Sequence, residues 1–214
     1  MIDLCTKEFE GVWFGVACAG KRIVATALDS TRERALKSIM DSISPNVKHQ
    51  VVEEGSDFAE KAMHMLKELH AGNEESKIFT LADEYIPAPA ASVLKIAAAI
   101  PLGYVASYGD IAKAAETGPR IVGRIMASNP LYPIVPCHRV VGADFSLVGY
   151  GGGKSPRALR AKLARLSREA KGFTAKREIM VGGKSLTVYP VEHVLQRAKE
   201  RRMDTFNQQR LSEG

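Results

Sequence analysis

Cysteine is scarce in this chain: Cys5, Cys18 and Cys137 are the only three among 214 residues, odd in number, widely separated and free of any CxxC pair. That pattern argues against a disulfide framework and a compact zinc site, for which Cys5 and Cys18 with His49, His64 or His70 are the candidate ligands, and three thiols cannot build a four-cysteine metal centre. A reducing compartment is expected, with no metal. Core packing is expected for Cys18 and a frayed terminus for Cys5. Also missing is any apolar run long enough to span a membrane, and Met-Ile-Asp-Leu-Cys has neither a basic lead nor a signal-length apolar core. The expected setting is therefore soluble and cytoplasmic. Neither a GxxxxGK[ST] phosphate loop nor a dinucleotide fingerprint in its strand-helix setting occurs, and no cofactor is expected.

Acidic residues are sparse beyond residue 91, and positive charge is concentrated in the C-terminal half. The net charge is +6, but residues 1–91 hold 10 Lys/Arg against 15 Asp/Glu, net −5, residues 92–153 hold 5 against 3, net +2, and residues 154–214 hold 15 against 6, net +9. A polyanion-binding surface has this asymmetry, because each neutralised phosphate releases counterions. A solvated basic helix has it as well.

What is present reads first as a small α/β unit. Residues 11–18 and 22–28 form two strands joined through Ala19-Gly20-Lys21, a hairpin with a glycine turn. An amphipathic helix runs from Thr31 to about Ile43, with Ala35, Leu36, Ile39 and Met40 on one face and Pro45 as its stop. A strand near Lys48–Val52 and a helix from about Asp57 to Leu69, closed by Ala71-Gly72-Asn73, complete a domain over residues 1–84. The proline pair within residues 85–91 marks a linker.

Beyond it the pattern turns helical at Ser92–Ala99, Ser107–Ala115 and about Pro119–Ala127. Ser107 and Asp110 suit a capping box, Pro119 suits a first turn, and Glu116-Thr117-Gly118, whose glycine permits a tight turn, makes a helix-turn-helix of the last two. A helix over about Ser155–Ala170 carries Leu159, Leu163 and Leu166 on a core stripe, and its many bases face either phosphate or water. The basic extension 171–214 holds a strand at Ser185–Tyr189 and a helix at Val191–Met203.

Chemistry concentrates in Pro136-Cys137-His138-Arg139-Val140-Val141. A thiol attacks as its thiolate, a neighbouring imidazole can take the proton, and the proline and two valines stiffen the backbone that carries the sulfur. A buried cysteine beside a solvated histidine fits the dipeptide alone equally well. Arg139 reads as an ion-pair partner that stabilises the fold. Downstream, four glycines surround Tyr150 in Val148-Gly149-Tyr150-Gly151-Gly152-Gly153, either a close approach of backbone to a ligand or a flexible surface turn.

Taken in order, these motifs resemble the O6-alkylguanine-DNA alkyltransferase family, the methylated-DNA–protein-cysteine methyltransferases, over about residues 78–170. The likeness rests on Val105-Ala106-Ser107-Tyr108, Pro119-Arg120-Ile121-Val122-Gly123, Ser128-Asn129-Pro130, the run from Pro133 to Val141, and Gly149-Tyr150-Gly151-Gly152. It implies an α/β ribonuclease-H-like first domain and a mainly α winged helix-turn-helix domain at 92–170. Cys137 would accept the alkyl group, His138 would take the thiol proton through a water, and Glu169 would orient the imidazole.

By the same resemblance Arg120 would fill the space of an extruded nucleotide, and Tyr108 would donate to the flipped guanine. Val140 and the backbone of Gly151 and Gly152 would read the base edge, with Tyr150 as a pocket wall. Asn129 would pin the turn leading to the active centre, and Gly123 would let its helix seat in the minor groove. The implied partner is double-stranded DNA carrying O6-alkylguanine, met by a monomer that acts once, is nucleoid-associated and touches no membrane. This chain departs from the family at Gly151, where serine is common, and in the longer path to Glu169. The rival classes are a lesion-recognition protein, a Cys-His hydrolase and a winged-helix regulator; the first lacks the cysteine this chain keeps, and the second leaves the helix-turn-helix without a purpose.

Overall fold

The computed structural model describes residues 1–73 and 80–212, with only the backbone described for Asp83 and 202–212. Residues 74–79, within the expected first domain, and 213–214, at the end of the expected extension, lie outside the described residues. The chain divides into two compact units, Met1–Leu94 with Asn129–Pro136, and Lys95–Ser128 with Cys137–Gly214.

The first unit is a four-stranded sheet in the order β3-β2-β1-β4, built from β1 (Ile2–Phe9), β2 (Val12–Cys18), β3 (Ile23–Asp29) and β4 (His49–Val51). Helices α1 (Arg32–Asp41) and α2 (Asp57–Ala71) pack on its two faces. Neighbours along β2 show this: a Cβ on Gly15 would meet Ile39 of α1, whereas the Phe14 ring packs edge-on against His70 of α2. Both faces being covered, β2 and β3 are buried along most of their length, without the alternation of a half-exposed sheet. Cys5 is not at a frayed terminus. It lies in β1, an interior strand between β2 and β4, and is 1% exposed, because Ile2 and Leu4 draw the first residues into the core.

The stretch expected as a linker includes the start of a helix, α3 (Ala88–Ala98). Pro87 caps it by accepting from the amides of Ala90 and Ala91, and Pro89 costs nothing there because first-turn amides have no partner within the helix.

In the second unit a sheet accompanies the helices, with order β6-β5-β8-β7 from β5 (Tyr104–Ser107), β6 (Val140–Val141), β7 (Arg177–Val181) and β8 (Lys184–Pro190). Within 92–170 helices predominate as expected, with only the short strands β5 and β6 beside them, and runs of two to five residues carry too little periodicity to announce themselves. Helices α4 (Tyr108–Ala114) and α5 (Pro119–Ala127) follow β5, and α6 (Pro156–Glu169) and α7 (Val191–Ser212) pack Leu166, Val191 and Val194 against Val105 and Val141.

The Ser107–Asp110 capping box forms in both directions. The turn into α5 owes its shape to Glu116 at φ 53°, not to Gly118 at φ −97°. Thr117 N reaches back to Ala112 O at 2.9 Å, the closure of a left-handed helix end, and Lys184 pairs with the Glu116 carboxylate at 3.0 Å.

Residues 129–136, which lead into Cys137, are strapped to edge strand β3. Thr26 donates its amide to Pro130 O and its hydroxyl to Tyr132 O, both at 2.7 Å. Thr26→Val keeps the volume and removes the hydroxyl bond to Tyr132 O, so urea unfolding should report a loss of about 1–2 kcal/mol; unchanged stability would mean the hydroxyl does not hold the strap.

Candidate active site

Cys137 sits in a short 3₁₀ turn, Cys137–Arg139, that enters β6. Strand β6 runs parallel to β5 with Ala106 opposite Val140 and Ser107 opposite Val141. Because β5 hands directly to α4 through the Ser107 cap, this pairing sets Tyr108, the first helical residue, in the same cavity as the cysteine sulfur. Cys137 is 9% exposed and lines a cavity of about 500 Å³, within the range of small-molecule sites.

One wall is the face of α5 bearing Arg120, Gly123, Arg124 and Met126. The other is the loop Val148–Lys154. Tyr150 and Gly153 exchange both backbone hydrogen bonds, at 2.9 and 3.0 Å, around Gly151 and Gly152 at φ 54° and 74°. Two successive left-handed residues make this a primed hairpin turn, for which glycine is suited. A Cβ on Gly152 would lie 3.4 Å from Ala127 O, so the loop rests against the end of α5.

Beneath the cavity floor is a buried polar chain. Glu169, at the last turn of α6, receives Arg139 Nε at 2.7 Å and Nη2 at 3.1 Å and lies 2.6 Å from His138 Nε2. The remaining guanidinium edge donates to Ile100 O at 2.8 Å. Burial alone would raise the Glu169 pKa, but the hydrogen bonds and charges of His138 and Arg139 hold it down at about 2. Burial pushes His138 the other way, from 6.5 to about 4, despite the pull of Glu169.

The pair is therefore a carboxylate and a neutral imidazole. With Nε2–H donated to Glu169, Nδ1 carries the lone pair, and it is buried with no hydrogen-bond partner among the described residues. It is the nitrogen able to accept a proton.

The remaining thiols differ in kind. Burial pushes Cys5 up to about 11 and Cys18 up to about 12, values that leave them inert at neutral pH. Around Cys137 the electrostatics respond to the sulfur. Burial raises the Tyr108 pKa, and negative charge on Cys137 adds to the rise. Lys162 is fully buried; burial lowers its pKa to about 8, against which the Cys137 charge pulls upward. Lys162 Nζ donates to Val140 O at 2.5 Å and Gly149 O at 2.9 Å, tying β6 to the glycine loop.

Of the expected site residues, Tyr108, Arg120, Gly123, Cys137, Tyr150, Gly151 and Gly152 line the cavity. His138, Glu169 and Val140 are buried and do not line it. Asn129 holds its own turn, donating from Nδ2 to Val135 O at 2.9 Å and accepting from Leu131 N at 3.0 Å. Lys162 was hidden among the bases of α6. Its signal was spacing: 162, 166 and 169 fall on one helical face, and all three are buried.

Residues 88–171 match the family described as 6-O-methylguanine DNA methyltransferase, DNA binding domain. The methylated-DNA–protein-cysteine methyltransferase of Methanocaldococcus jannaschii is 32% identical over 149 residues, covering 68% of this chain and 84% of the relative. That of Pyrobaculum aerophilum is 59% identical over 54 residues, 25% of this chain and 36% of the relative, so this closer match spans about a third of the relative's length.

Among solved structures, the O6-methylguanine-DNA methyltransferase of Pyrococcus kodakaraensis KOD1 is 27% identical with TM-score 0.53, covering 79% of this chain and 99% of that one. Mycobacterium tuberculosis OGT in complex with DNA is 25% identical with TM-score 0.54, covering 78% and 92%. Because the Methanocaldococcus jannaschii relative is 32% identical and aligned over 84% of its length, the chain belongs to the methylated-DNA–protein-cysteine methyltransferase family.

Proposed function

We propose that the protein repairs duplex DNA by moving a methyl or small alkyl group from guanine O6 to Cys137, once per molecule. The observation that carries this reading is a thiol opening into a purine-sized cavity while burial keeps the neighbouring imidazole neutral and a buried carboxylate orients it. The Cys137 proton passes to His138 Nδ1 by way of a water. The thiolate then attacks the alkyl carbon, an S–C bond forms as the C–O6 bond breaks, and guanine leaves with the electron pair and takes up a proton. Glu169 stabilises the imidazolium in between, and Arg139 keeps Glu169 ionised and in place. The thioether has no leaving group for water to displace, so the reaction ends there.

An alkylated O6 inside the stack is out of reach of any sulfur, so the nucleotide must be extruded, at a cost of roughly a few kcal/mol. Arg120 fills the gap and offsets part of that cost. Gly123 lets α5 seat in the minor groove, and Tyr108 donates to the guanine. Val140 and the backbone at Gly151 and Gly152 read the base edge, Tyr150 walls the pocket, and Asn129 fixes the turn into Cys137. The first unit's sheet with helices on both faces supports a ribonuclease-H-like reading, and α4 and α5 with the β7–β8 hairpin support a winged helix-turn-helix. The partner is duplex DNA bearing O6-alkylguanine, met by a monomer. No helix of the described residues is long and apolar enough to cross a membrane.

After mixing with O6-methylguanine duplex, peptide mass spectrometry should find one added methyl on the peptide bearing Cys137. Methyl transfer that persists in Cys137→Ala refutes the assignment. The pH profile tests His138. Because the proton moves within the protein, the single-turnover rate should stay level from about pH 8 to about pH 5 and fall only as the imidazole itself protonates, near its depressed value of about 4. A rate that climbs tenfold per pH unit through neutrality would mean the thiol loses its proton to solvent instead. His138→Ala should slow transfer by about 10²–10⁴.

A further inference from the structure

We infer that Arg124 and Lys154 grip the phosphates flanking the extruded nucleotide, a positioning pair that rests on the alkyl-transfer reading and extends it. Arg124 lies one turn beyond Arg120 on the same face of α5, and Lys154 ends the glycine loop on the facing wall. Both are exposed at their ends of the cavity that holds Cys137.

The cavity lining contains three cations and no carboxylate. None of the three is paired among the described residues, unlike Lys184 with Glu116 at 3.0 Å, Arg139 with Glu169 at 2.7 Å and Arg197 with Asp144 at 3.6 Å. An apolar cavity rimmed by unpaired cations matches a ligand that is flat and neutral inside and anionic outside. A nucleotide entering base-first has that distribution, with a phosphate on either side of its sugar brought to the mouth as it leaves the stack. Cations on opposite walls can meet both phosphates at once, and each contact carries the salt dependence of a released counterion.

Binding is measured by fluorescence anisotropy in a Cys137→Ser background, so that no transfer intervenes, on duplexes with and without O6-methylguanine, from about 50 to 200 mM salt. Arg124→Ala and Lys154→Ala should each flatten the plot of log affinity against log salt by about 0.9 on the lesion duplex and by less on the undamaged one. Arg124→Lys should retain the slope. Slopes equal to the parent's on the lesion duplex, or equal flattening on both duplexes, overturn the proposal. Methyl transfer by the protein with Cys137 intact is scored separately, so a protein that shows these slopes yet transfers nothing loses the repair reading and keeps the phosphate contacts.

Discussion

Everything at the centre of this protein depends on one buried carboxylate. Glu169 is 4% exposed and meets both His138 and Arg139, so its charge is shared between an imidazole and a guanidinium with no water between them. Burying such charges is costly, and removing one partner from a buried pair typically costs about 3–5 kcal/mol because the other is stranded. Two hydrogen bonds from Arg139 and a third to Ile100 O provide the compensation that makes the arrangement stable. The outcome is a fixed tautomer: Nε2–H is committed to Glu169 and Nδ1 is left to act as a base.

The same economy of partners recurs at Lys162. A fully buried ammonium is tolerated because two carbonyls, Val140 O and Gly149 O, receive it, and those carbonyls belong to the strand after the cysteine and to the loop that walls the cavity. Glu169 thus holds the turn carrying Cys137 and His138 from one end of α6, while Lys162 holds its continuation two turns earlier. The helix is a rigid bar between two polar anchors, with Leu166 packed between them. This explains how a loop rich in glycine keeps a defined wall: its flexible turn at Gly151 and Gly152 is closed by backbone bonds and pinned beside it by a lysine.

Much of the candidate site was legible because its parts are local. Cys137 and His138 are adjacent, the capping box spans three residues, and Arg120 and Gly123 share a helix face, so short-range rules place them. Long-range choices were not legible. Nothing near Glu169 in the chain says that it turns inward while its basic neighbours on α6 turn out; that needs Arg139, thirty residues away, to neutralise it. Strands β5 and β6 escaped notice because pairing, not propensity, makes two-residue and four-residue strands. Glu116 took the left-handed position in place of the glycine nearby, a choice supported by Lys184 from a distant hairpin.

The amino-acid order by itself determined the adjacent thiol and imidazole, the two short helices either side of a tight turn, the first α/β unit and the gradient of positive charge, since each follows from periodicity, caps and adjacency. Only the tertiary structure decided which bases stay unpaired at the cavity and which lysine is buried, and how Arg139 shares the carboxylate of Glu169 with the histidine. Those are properties of the surroundings: burial and charge neutralisation depend on residues that meet only after folding, and the energies that select them arise where water has been excluded.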